Sequence, residues 1–476
     1  MKHLRHNRLL SGLTLNFKKM KKINFKLFSV TSIFALLLIT SACATEDLDP
    51  TLSQDKSVEG AITKVDNLYG ILKGALNRAT SSGYWGREMI ALNEVRSDNA
   101  FSNGNSGRYT TQGEFNYNEN SGGIWDNCYG VIALANVIIQ QDAASLEGNA
   151  ALASHYQGAA HFLRALAHFD LVRTYGQQHS GGTLGVPIVT TFKGDDLFPS
   201  RSSVSEVKAA IMSDLATAYT MMDTQYDDKE FISKFAAPAL ASRVAIYFGE
   251  YQLAEQNAAL VINSGIYSII PGADFVGSFA TKENVNSIFE LAYSQTDNLG
   301  GNSLGYIYKF APGGTGYGDV QPMAAVEALY ETGDARAGIL GYQGDKLTNM
   351  GKYPDINGWD NVPVIRYEEI VLNYAEALLR NGNTADATTQ LNSLQTARGA
   401  STTPATVDNI MLERRKELMF EGFRFDDLMR SGSDIIYHGT LENVLGTLSY
   451  PNNKFAYPVP AAELNANSNI TQNDGY

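Results

Sequence analysis

The chain has 476 residues, with 37 Lys/Arg against 50 Asp/Glu and a net charge of −13. So acidic a body is repelled by phosphate backbones, which argues against nucleic acid as a partner. Its two cysteines, Cys43 and Cys128, are too few for a cysteine-based metal cluster.

At the N-terminus an apolar run, Leu27 to Ala42, follows the basic residues Lys18, Lys19, Lys21, Lys22 and Lys26. Its length and flanks read as a secretory signal rather than a membrane span. Met20-Lys21-Lys22-Ile23 is a normal signal start, so translation is expected to begin at Met20 and residues 1–42 to form a removable leader. Ser41 and Ala42 before Cys43 fit a bacterial lipobox, although Thr40 stands where Leu is usual. Cys43 is the expected lipid-attachment residue, which tethers the protein to a membrane without spanning it. Losing the leader, with eight Lys/Arg and no Asp/Glu, takes the net charge from −13 to −21. Cys128, between Trp125 and Val131, is then the one remaining thiol and reads as a small core residue.

In the mature part, 43–476, apolar residues recur with a helical period in Tyr129–Gln141, Leu152–Tyr175, Val204–Met222, Pro238–Asn263 and Tyr367–Arg380. The stretch Ala241…Gly249-Glu250-Tyr251…Ala258 reads as a helix–turn–helix pair, with small alanines where the helices touch. Leu372-Asn373-Tyr374-Ala375…Gly382-Asn383…Leu391 repeats the pattern, and Ala159…Tyr175-Gly176 is a weaker version. Such units resemble the tetratricopeptide repeat, placed here within about 129–264 and 363–398. Between them lie Gly/Asn/Tyr-rich stretches: Ser81 to Asn120, Ile266 to Asp360, and the piece after His438. Segments of that length either bind something or fold as substructures of their own. The prediction is a mainly α chain with a helical scaffold and a loop-rich face.

Across the mature chain, several segments stand in a recognisable order. They include Leu48-Asp49-Pro50, Leu163-Arg164-Ala165…Tyr175-Gly176, Gly185-Val186-Pro187 and Ile365-Arg366-Tyr367-Glu368-Glu369. Glu413-Arg414-Arg415-Lys416-Glu417…Glu421-Gly422-Phe423-Arg424-Phe425-Asp426-Asp427-Leu428 and the terminal Tyr457-Pro458-Val459-Pro460…Gly475-Tyr476 complete the set. With these segments the chain resembles the SusD/RagB family of outer-membrane nutrient-binding lipoproteins of the Bacteroidetes. The resemblance implies the SusD-like fold, with four tetratricopeptide-like units and a ligand-binding loop face. It also implies a partner, a SusC-type TonB-dependent β-barrel transporter beneath the protein. The implied location is the cell-surface side of the outer membrane.

Charged and aromatic side chains define the candidate chemistry. Glu413, Glu417 and Glu421 fall on one helical face beside Arg414 and Arg415. Carboxylates crowded by arginines make poor general acids, so an ion-pair network locking the scaffold is expected rather than a glycosidase pair. His161 and His168 share a helix face without a third ligand, so no metal is expected. Neither a phosphate-binding glycine loop nor a nucleophile elbow is present, and neither enzyme activity nor a cofactor is expected. Sugars need aromatic faces together with amide and carboxylate partners. The loops offer Tyr84, Trp85 and Arg87, then Tyr293, Asn302, Tyr306 and Tyr317, then Trp359. Trp85 and Trp359 are the leading candidates, since tryptophan in an exposed loop implies use, whereas Trp125 is assigned to the core. The reading is a non-catalytic surface lipoprotein that binds oligosaccharide and delivers it to the transporter. Peptide cargo on the same fold, and a surface glycosidase, are the alternatives.

Overall fold

The computed structural model describes residues 62–120, 123–223, 228–310 and 316–476. The leader, Cys43 and the Leu48-Asp49-Pro50 segment lie outside the described residues. The scaffold is helical: α1 (Val65–Ala79), α2 (Glu88–Val95), α3 (Ile124–Ile139), α4 (Ala150–Tyr175), α5 (Val204–Met221), α6 (Ala236–Tyr247), α7 (Tyr251–Ile262), α8 (Tyr367–Arg380), α9 (Thr384–Ala397), α10 (Val407–Leu418) and α11 (Arg424–Arg430). Each of α3 to α9 packs on its neighbour in that list, and α1 lies on α3 and α4.

Local chemistry explains the boundaries. The Asn149 side chain accepts from the amides of Ala151 and Leu152 and starts α4, and Ser203 and Glu206 form a reciprocal capping box on α5. The predicted Pro238–Asn263 segment is two helices, parted at Phe248-Gly249-Glu250. α8 and α9 part in the same way at Asn381-Gly382-Asn383. These are two of the three repeat units expected from the alanine spacing; the weaker third, Ala159…Tyr175-Gly176, falls within the single helix α4, which ends at Gly176. α3 begins five residues earlier than the period suggests, and Trp125 and Cys128 on its first turns are buried. No described helix is long and apolar enough to cross a membrane.

The stretches expected to be loops fold into substructures. Among the described residues four separate antiparallel strand pairs form from β1 (Ala100–Ser102), β2 (Ser287–Leu291), β3 (Val320–Pro322), β4 (Leu340–Gln343), β5 (Lys346–Asn349), β6 (Val362–Arg366), β7 (Ile435–His438) and β8 (Val444–Leu448). The pairs are β1–β3, β2–β6, β4–β5 and β7–β8. The β1–β3 pair brings the loops after residue 102 and before residue 320 side by side. The β2–β6 pair brings the chain after Leu291 beside the chain before Val362. Two sequence-distant loop regions are thereby delivered to one face.

The Glu413–Asp427 segment is the ion-pair network expected from its charge spacing. Glu413 meets Arg336, Glu417 meets Arg336, Arg366 and Arg398, and Glu421 meets Arg366 and Lys352. Arg414 and Arg430 share Asp427, and Arg430 also holds Glu376. Except for the part-buried Arg430, these groups are buried at the junction of α8, α10 and α11.

Candidate functional site

The candidate surface is assembled from the loops that the strand pairs align. Arg87, at the entry to α2, donates from Nη1 to Asn302 Oδ1 at 2.9 Å, joining two loops 215 residues apart. Its Nε and Nη2 hold Glu88 at 2.8 and 2.5 Å. Burial pushes the Glu88 carboxyl up, against the pull of Arg87.

Next to this bond, the rings of Tyr306 and Tyr317 meet edge to face with centroids 4.8 Å apart. The Tyr317 amide donates to the Tyr306 carbonyl at 2.9 Å, which sets that geometry. Arg108 lies 4.2 Å over the Tyr317 ring and reaches Asp319 at 3.4 Å. Asn105 donates to the Tyr317 carbonyl at 2.5 Å, and Asn103 to that of Gly318 at 2.7 Å. These amides thus fasten loop to loop. Arg108 was missed by the sequence reading, although a cation between Asn105 and Tyr109 in an aromatic loop is a visible signal.

Trp359 borders the same surface. Its neighbour Gly358 has φ +76°, and a Cβ there would overlap Cβ of Ser303. Only glycine lets the 355–360 loop lie so close to the 300–303 turn. Trp359 is half-buried, and its indole N–H has no acceptor among the described residues. The other two tryptophans are engaged: Trp85 Nε1 donates to Asp170 at 2.8 Å and Trp125 Nε1 to Glu463 at 3.2 Å.

Three expected contact residues are corrected by their burial. Trp85 is 3 % exposed and Tyr84 1 %, and both donate to the same oxygen of Asp170. Tyr293 is 5 % exposed and donates to the Thr80 carbonyl at 2.6 Å. None of the three offers a ring face to solvent. Each joins a loop to the scaffold, a long-range pairing that loop composition does not reveal. Of the expected set, Arg87, Asn302, Tyr306, Tyr317 and Trp359 remain accessible.

His161 and His168 are tied into the scaffold. His161 contacts Asp214 at 2.7 Å, while burial drops His168 to a pKa of about 4, leaving a neutral ring bonded to the Arg164 carbonyl.

Residues 338–476 match a family model described as the SusD family. Residues 47–246 match a second, described as starch-binding associating with outer membrane. The chain is 25 % identical over 536 aligned residues to SusD-like protein P38 of Formosa agariphila, covering 96 % of this chain and 100 % of that protein. It is 32 % identical over 144 residues to the starch-binding protein SusD of Bacteroides thetaiotaomicron, covering 28 % of this chain and 24 % of that one. Among solved structures, a SusD superfamily protein from Bacteroides vulgatus superposes with a TM-score of 0.79 at 26 % identity, over 87 % of this chain and 100 % of its own. A helical scaffold with paired-strand loops, two matching family models and full-length relatives lead to one conclusion: the chain belongs to the SusD family.

Proposed function

We propose that this protein is a non-catalytic, lipid-anchored surface protein that captures oligosaccharide and passes it to a SusC-type TonB-dependent transporter. The observation that carries the proposal is Trp359, half-exposed with an unengaged indole N–H, beside the Tyr306–Tyr317 pair and the Arg87–Asn302 bond. Aromatic faces for sugar C–H groups stand here with amide and guanidinium groups for hydroxyls. A relative named as starch-binding and a family model described as outer-membrane associated support the same reading. Cys43 is the anchor in this proposal, and the acidic Glu46-Asp47 that follows serves surface export.

A calorimetric screen of the chain from Ala44 onward, against a glycan panel and a peptide digest, tests it. A glycan is expected to bind, and Trp359→Ala to weaken it about tenfold to hundredfold with unchanged thermal stability, as loss of one aromatic contact implies. Binding confined to peptides would keep the fold and the barrel partner and overturn the sugar assignment.

A further inference from the structure

A second concave surface lies behind the loop face. One stripe of α1 presents Tyr69, Lys73, Leu76 and Asn77, with Thr80 just past its end, while Leu68, Leu72, Ala75 and Ala79 point into the core. Opposite this stripe stand Glu230 and Phe231, Glu290 to Ala292 after β2, and Asp297, enclosing an open groove of about 420 Å³. That is the size of a ligand site.

The groove is rigidly built. Tyr69 stacks on Tyr156 of α4 at 5.5 Å and on Phe231 at 5.6 Å, so three rings form one pile that fixes the Glu230–Phe231 wall. At its base Asn361 donates to Glu230 at 3.0 Å and to Glu290 at 2.9 Å, holding two carboxylates with one amide. Glu290 also accepts from the Glu283 amide and the Ser287 hydroxyl and is fully used. The lip is different. Among the described residues the Asn77 amide and the Asp297 carboxylate have no hydrogen-bond partner, and the Lys73 ammonium rests 4.4 Å over the Tyr69 ring. Amide and carboxylate groups with free capacity thus stand at the lip of the groove, where they can pair with the hydroxyls of a polyhydroxylated ligand.

Its position ties it to the candidate surface. The Tyr293 hydroxyl closes on the Thr80 carbonyl and makes a wall between the two. The 294–302 loop runs over that wall, with Asp297 on the groove side and Asn302 bonded to Arg87 on the other. A chain crossing the loop would touch both.

We propose that the groove between α1 and the end of β2 is a second carbohydrate subsite, which takes the far end of a neutral oligosaccharide whose near end lies on Trp359, Tyr306 and Tyr317. The inference rests on the oligosaccharide reading above. Neutrality follows from charge, since Glu230, Glu290 and Asp297 outnumber Lys73 and repel uronate or sulfate groups.

The test is calorimetry on the mature full chain with neutral gluco-, galacto- and manno-oligosaccharides, from disaccharide to heptasaccharide, and with oligogalacturonate. Asn77→Ala combined with Asp297→Ala removes exposed side chains without internal bonds, so thermal stability should hold. This double variant is expected to bind the longest chains about tenfold more weakly and disaccharides unchanged, the loss of one or two net hydrogen bonds. Trp359→Ala is expected to weaken every length. Wild-type affinity of the double variant at every length, with Trp359→Ala impaired, overturns the subsite and leaves the oligosaccharide reading intact. Tighter binding of oligogalacturonate that the double variant abolishes overturns the neutral class. A wild-type protein that binds none of these probes overturns the oligosaccharide reading and the subsite together.

Discussion

Replacing Glu417 by alanine is expected to destabilise the protein by about 3–5 kcal/mol, the usual effect of breaking a buried ion pair on one side. Glu417 is fully buried; one carboxylate oxygen accepts from Arg366 at 2.7 Å and Arg398 at 2.8 Å. The other accepts from Arg398 at 2.9 Å and Arg336 at 3.3 Å. Its loss takes one carboxylate partner from each of three buried guanidiniums and leaves Arg398 with Glu368 alone. Burial alone would raise this carboxyl's pKa, but Arg398 and Arg366 outweigh it and hold it well below the ordinary 4.5. Glu421 is lowered likewise, by Arg366 and Lys352 against burial. Groups depressed on folding stabilise the protein above their unfolded pKa, and that contribution disappears as pH falls through the folded values. Wild-type stability should therefore fall steeply as the pH drops below about 4.5, and Glu417→Gln should start lower and fall less. Urea unfolding across pH measures both. A change under ~1 kcal/mol for Glu417→Ala would mean the site is solvated rather than sealed.

The legible parts of the fold were those where one local pattern suffices. α8 was bounded by its own periodicity, and the repeat turns by Gly249 and Gly382 between alanine-rich faces. α1 carries Leu68, Leu72, Ala75 and Ala79 at helical spacing, but Gly70 and Gly74 weaken its propensity and it went unread. α2 is buried on every side from Met89 to Val95, so it lacks the polar face that marks a helix. The site divided on similar lines. Arg87, Asn302, Tyr306, Tyr317 and Trp359 were readable as aromatic and polar loop residues. Trp85 has the same local signature as Trp359, and only Asp170, 85 residues away, draws it inside. The groove beside α1 needs α1, β2 and Phe231 at once, and no single stretch announces it.

Trp85→Ala separates a structural indole from a ligand-contacting one most sharply. The side chain is 3 % exposed, with its ring 5.7 Å from the Arg173 guanidinium and its N–H on Asp170. Asp170 also accepts from Tyr84 at 2.7 Å and from Arg173 at 2.9 Å. After truncation the carboxylate keeps both, so most of the lost stability comes from the cavity the indole leaves. Tryptophan-to-alanine changes in a core destabilise by about 3–5 kcal/mol. Trp85→Phe fills most of that space and loses the hydrogen bond alone, an expected ~1.5–3 kcal/mol because the acceptor is charged. Both are read by denaturant unfolding. Glycan affinity of the folded Trp85→Ala protein is expected within about twofold of wild type, a difference of ~0.4 kcal/mol. Unchanged stability with binding abolished would instead put the indole in the ligand's path. Because Asp170 also anchors Arg173, which reaches Asp426 at the start of α11, the stability loss should extend to the C-terminal helices. Hydrogen exchange in α11 should therefore rise in Trp85→Ala while the Tyr306–Tyr317 loops keep wild-type protection.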